Sequence, residues 1–117
     1  MPDCVKVLLD ECVPERFRGC ITGHDVHSVK YAGFSGRKNG ELLRLAAQAG
    51  YDVLVTVDQG IPFQQRMSGQ GIALIVISAP RNDIDTLKVM ANTVVSALAT
   101  ITAGQIVKVD YPAADEG

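Results

Sequence analysis

Asp52-Val53-Leu54-Val55-Thr56-Val57-Asp58 decides the fold. Its five central positions are all apolar or β-branched, too few for a helix and too uniformly apolar for a strand with one wet face. That pattern belongs to a strand buried on both sides, which requires helices above and below a parallel sheet. It ends abruptly in polar residues and Gly60.

The same grammar extends outward from this strand. On its N-terminal side, Leu42, Leu43, Leu45, Ala46 and Ala49 repeat at helical spacing, with Asn39 as a plausible cap and Gly50 as a stop. Before them come a Gly33-Phe34-Ser35-Gly36 loop, a short strand over Asp25 to Val29, a short helix from Glu15 to Cys20 behind Pro14, and a strand from Val5 to Leu9 that stops at Asp10-Glu11. On the C-terminal side, Pro62 to Ser68 reads as a short helix or a lid-like loop. Ile72 to Ile77 is another continuous apolar strand. Asp83 or Asn82 can cap one long helix running to about Thr100, whose residues Ile84, Leu87, Met90, Ala91, Val94, Val95, Leu98 and Ile101 follow the 3.6 period. Gln105 to Val109 makes a last strand. Alternating strands and helices predict an α/β fold: a three-layer domain over residues 1–111 with a mostly parallel central sheet flanked by helices, followed by a frayed tail over 112–117.

Composition agrees with this reading. Of 117 residues, 47% are hydrophobic and 21% charged, which suits one globular domain and excludes wholesale disorder. A formal charge of -2 argues against a protein that coats nucleic acid through overall positive potential, but leaves room for a basic rim around an acidic metal site. Cys4, Cys12 and Cys20 lack zinc-site spacing and read as reduced thiols. The chain opens without a basic-then-apolar signal segment and its apolar runs are strand-sized, so the expected setting is cytoplasmic, with no membrane.

In open parallel sheets ligands collect at the carboxyl ends of strands. Asp10 and Asp58 each end a strand there, and on adjacent strands they would share a cleft. Two crowded carboxylates call for a cation, and Mg²⁺ or Mn²⁺ prefers such oxygen ligands. An ion held between them could bridge to a phosphodiester and supply a metal-bound nucleophile, as in metal-dependent nucleases. Glu41, in the first turn of its helix, can point to the same cleft, although the helix dipole alone would also favour an acid there. Glu11 is an auxiliary candidate, or a residue that caps the Pro14 helix or stays solvated. Thr56, two positions before Asp58, could reach that carboxylate. Gln64 and Gln65 could contact phosphate or base edges, and Arg37, Lys38, Arg66 and Arg81 could supply phosphate contacts. Solvation is the plain alternative for each of these. His24 and His27 read as structural hydrogen-bonding residues.

Four segments in order resemble a known family. Leu8-Leu9-Asp10-Glu11-Cys12-Val13-Pro14 is similar to an LLDEN-x-P opening, Gly23-His24-Asp25-Val26 to a GHDV turn, Gly33-Phe34-Ser35-Gly36 with Glu41-Leu42-Leu43 to the loop and helix start, and Val55-Thr56-Val57-Asp58 to a V-T-x-D strand end. Together they resemble the PIN-like proteins of the DUF5615 type, relatives of the PIN nucleases. Asn39-Gly40-Glu41-Leu42-Leu43 and Pro62-Phe63-Gln64-Gln65 mark a branch with NGELL and P-[FY]-Q-Q signatures. The resemblance implies a PIN-like fold, an acidic site of Asp10, Glu41 and Asp58 holding Mg²⁺ or Mn²⁺, ribonuclease activity on an RNA substrate, and a toxin-antitoxin pairing with a small antitoxin-like protein. Asn39 and Gly60 stand where many relatives carry further acids, and Cys12 stands in place of Asn.

Two other functions fit the same residues. A non-catalytic PIN-like module that binds protein or nucleic acid is suggested by the missing acids. A receiver-like regulator phosphorylated on Asp10 is disfavoured because no acidic pair precedes that residue and Lys108 lies inside the last strand rather than after it. A homodimer joined through helix faces is compatible with so small a domain.

Overall fold

The structure, a computed structural model, describes residues 5–37, 39–57, 71–81 and 83–111. Cys4, Lys38, Asp58, the Pro62 to Ser68 segment with Gln64, Gln65 and Arg66, the alternative cap Asn82, and the 112–117 tail lie outside the described residues.

Among the described residues five strands form one sheet: β1 (Lys6–Leu9), β2 (Asp25–Ser28), β3 (Val53–Thr56), β4 (Ala73–Ser78) and β5 (Ile106–Asp110). Their spatial order is β2-β1-β3-β4-β5, and every pairing is parallel. The expected sheet is present. β1 and β3 are its centre, paired Val7 to Val53, Leu8 to Leu54 and Leu9 to Val55.

Successive strand residues face opposite sides, so each strand feeds two cores. Val7, Leu9, Val53, Val55, Ile75 and Ile77 build one of them with Phe17, Met90, Val94 and Leu98. Leu8, Leu54 and Leu74 build the other with Val29, Leu42, Leu43 and Ala46. This explains why the β3 stretch has no polar alternation: helices cover it on both sides.

The helical elements are a 3-10 helix (Glu15–Cys20), α1 (Val29–Ala32), α2 (Asn39–Gln48), α3 (Ile84–Leu87), a 3-10 turn (Lys88–Met90) and α4 (Ala91–Thr100). Three features differ from what the sequence predicts. The Glu15–Cys20 helix is of the tighter 3-10 type. The second strand stops at Ser28, because Ser28 caps α1 by accepting a hydrogen bond from the Tyr31 amide, and Val29 opens that helix. The long C-terminal helix is interrupted at Lys88–Met90 by a tighter turn that leaves its buried stripe of Leu87, Met90, Ala91, Val94 and Leu98 unbroken. Asp83 caps α3 as expected, accepting from the Thr86 amide at 2.9 Å; hydrogen bonding from the Thr86 side chain, then from its amide, and after these the nearby Arg81, hold its carboxyl below the ordinary value of 3.8.

Candidate functional site

The centre of the sheet is also where its winding reverses. From β1 the chain crosses to β2 on one side, and from β3 to β4 on the other. In doubly wound sheets with this strand order, the crevice at the carboxyl ends of the two central strands is where ligands bind. Asp10 stands there. Its amide donates to the Val55 carbonyl at 2.9 Å, carrying the β1–β3 ladder one residue past β1, and its carbonyl accepts from the Val13 amide at 2.9 Å and turns the chain away.

The side chain of Asp10 is held from two directions. Its Oδ1 accepts from the Glu11 amide at 2.7 Å, and its Oδ2 accepts from the Thr56 hydroxyl at 2.8 Å. Thr56 is fully buried, so its hydroxyl needs a partner, and a carboxylate is the strongest acceptor at hand. In the fold this hydroxyl reaches Asp10 across the ladder; the expected reach to Asp58 concerns a residue outside the described ones. Cys12 completes the cluster, its Sγ 3.8 Å from Asp10 Oδ2 and 3.5 Å from Thr56 Oγ1. Neither the Thr56 bond nor the Cys12 contact follows from spacing along the chain. The β1–β3 pairing, which sets Leu9 opposite Val55 and therefore Asp10 beside Thr56, carries the signal for the first.

Glu11 does not cap the Pro14 helix. Its Oε1 accepts from the Gly36 amide at 3.1 Å, which fastens the loop before α2 to the end of β1. Glu41, in the first turn of α2, pairs with Arg37 at 3.1 Å, and both side chains are about half exposed. Such an i,i+4 surface pair is worth roughly 0.3–0.5 kcal/mol and yields readily to a stronger partner. Among the described residues no hydrogen bond or ion pair joins Glu41 to Asp10, and Asp10 has no Lys or Arg partner. Arg81 is engaged with Asp83. Asp58, Lys38, Gln64, Gln65 and Arg66 lie outside the described residues.

Beside this cluster a cavity of about 250 Å³ opens between the ends of β1 and β2, lined by Asp10, Glu11, Val13, Pro14, Glu15, Ser28, Val29, Lys30 and Ser35. Among the described residues no three His, Cys, Asp or Glu side chains converge as a metal-binding set. What they do provide is the Asp10 carboxylate, with no cationic partner among them and with lone pairs left on Oδ1. That fits an ion such as Mg²⁺, which needs only one or two carboxylates and otherwise keeps water or substrate oxygens.

Both histidines are hydrogen-bonded within the fold. His24 Nδ1 accepts from the Val5 amide at 3.0 Å, while His27 Nε2 faces Asp25 at 2.9 Å and its Nδ1 meets the Tyr51 hydroxyl at 2.9 Å. Cys20 is a free thiol. Among the described residues no helix is long and apolar enough to cross a membrane. Compared with family models, curated proteins and solved structures, the chain matches none.

Proposed function

We propose that this chain is a three-layer PIN-like domain acting as a metal-dependent ribonuclease of the toxin type, with Asp10 as its principal metal ligand. The observation that carries the reading is Asp10 itself: a carboxylate at the reversal point of the sheet, fixed by Thr56 from the neighbouring central strand and without a basic partner among the described residues. The bound ion would supply a nucleophilic hydroxide and charge stabilisation at the leaving oxygen. Asp10 would hold it, with Glu41 and Asp58 as the further acids of the site. Thr56 keeps the Asp10 carboxylate in one orientation and Glu11 keeps the loop leading to Glu41 close to the strand end. RNA as substrate and a small antitoxin-like partner come from the motif resemblance.

Purified protein is expected to cleave single-stranded RNA with Mg²⁺ or Mn²⁺ and to lose that activity with EDTA. Asp10→Ala and Asp58→Ala should each abolish cleavage with the circular dichroism spectrum unchanged. Full activity in either variant contradicts the proposal. A second reading, a non-catalytic module that binds a partner protein or nucleic acid, is suggested by Gly60 standing where relatives of the resembled family carry an acid. It predicts a stable complex without cleavage.

A further inference from the structure

A second cavity, of about 390 Å³, lies between the Glu15–Cys20 helix and the start of β2. Glu15 lines both, so the two are neighbours across the Glu15–Cys20 helix. The second is lined by Arg16, Arg18, His24, Asp25 and His27 as well, a very different chemistry from the acidic groove at Asp10.

Its donors are set in advance. Arg18 Nε donates to the Val26 carbonyl at 3.0 Å, which anchors the guanidinium on the strand edge and leaves its terminal N–H groups for a ligand. His24 accepts the Val5 amide on Nδ1, so its proton must sit on Nε2, and that nitrogen is a donor. Arg16 is exposed and has no ion-pair partner among the described residues. Two acids line the same space: Asp25 faces His27 at 2.9 Å on the cavity wall, and Glu15 accepts from the Ser28 hydroxyl at 3.5 Å. Two guanidinium groups and a fixed imidazole N–H are suited to a phosphate, whose oxygens accept several bonds at once.

We propose that this cavity takes a backbone phosphate of a single-stranded nucleic acid whose adjacent linkage lies at Asp10. The inference rests on the ribonuclease reading for its choice of ligand. The strand runs from the Asp10 groove past Glu15 to Arg16, Arg18 and His24. Binding therefore depends on a local cluster in a chain whose net charge is -2.

The test is an anisotropy titration of a labelled single-stranded RNA of about 12 nucleotides with protein carrying Asp10→Asn, which leaves the probe intact. In that background Arg16→Ala and His24→Asn are each expected to weaken binding roughly 3- to 10-fold; Arg16→Ala, which removes a charge, should also flatten the slope of log affinity against log salt by about 0.7, whereas loss of the neutral His24 donor leaves the slope unchanged. Asn at position 24 keeps an acceptor for the Val5 amide and removes only the Nε2 donor, so a purely structural His24 predicts no change. Unaltered affinity and slope in Arg16→Ala, or no binding by the parent protein, overturns the proposal. Cleavage by the wild-type chain is read separately. Cleavage with binding insensitive to Arg16 removes the phosphate cavity and keeps the nuclease reading, whereas Arg16-dependent binding without cleavage does the reverse.

Discussion

At the scale of single residues, the hydroxyl of Thr56 decides how well Asp10 is positioned. Thr56→Val has nearly the same shape but no donor, and should cost about 1–3 kcal/mol of stability. If Asp10 holds an ion, the same change should raise the Mn²⁺ concentration needed for half-maximal cleavage roughly 10- to 100-fold. Thr56→Ser, which keeps the hydroxyl, should restore most of it. Equal Mn²⁺ requirements for the wild type and Thr56→Val speak against a role in holding Asp10. A second residue-scale expectation concerns Tyr51. Burial, followed by the nearby Asp25 and Tyr31, pushes its phenol above the ordinary 10.0. The folded state therefore holds this proton more tightly than the unfolded chain does. The associated stability is complete below pH 10.0 and is lost as pH rises from there through the raised folded value. Tyr51→Phe should be less sensitive than the wild type to alkaline denaturation above about pH 10; parallel loss in both proteins contradicts this.

At the scale of elements, the strands are legible in the sequence, as is the short helix behind Pro14, and α1 is not. Strands β1, β3 and β4 announce themselves by runs that only a doubly covered sheet can bury, and α2 by its periodic leucines and alanines. A helix as short as Val29–Ala32 has too few residues to show a period. Its ends are nevertheless written in the sequence: Ser28 is the cap and Gly33, at φ 85°, adopts the left-handed turn that closes it. The break at Lys88–Met90 is invisible for a related reason, since a single 3-10 turn shifts the apolar stripe by less than one residue. Gly33 allows a direct check. A Cβ there meets nothing within 4 Å, so Gly33→Ala should destabilise through the backbone alone, by about 1–2 kcal/mol. Urea denaturation measures it, and an unchanged midpoint means that the α1 turn does not need a positive φ.

At the scale of the whole molecule, the winding of the sheet brings the candidate site together. Placing β1 beside β3 sets Asp10 next to Thr56 across 46 residues of chain. Sequence periodicity locates the strand ends but not their neighbours, because strand order depends on which crossovers go left and right of β1. For the same reason Asp10 is legible as an end-of-strand acid, while its bond to the Thr56 hydroxyl is not, because spacing within β3 says nothing of the strand beside it. Glu41 shows the other limit: its place in the first turn of α2 follows from the helix start, but its pairing with Arg37 is a surface choice that the period does not encode. The account as a whole stands on Asp10 as a metal ligand. A crystal soaked in Mn²⁺ tests it most directly. The expected result is an anomalous peak about 2.1 Å from an Asp10 carboxylate oxygen, with Glu41 or Asp58 within direct or water-mediated reach. A fully soaked crystal in which Asp10 keeps only its Thr56 and Glu11 hydrogen bonds and no manganese lies beside it would contradict the claim.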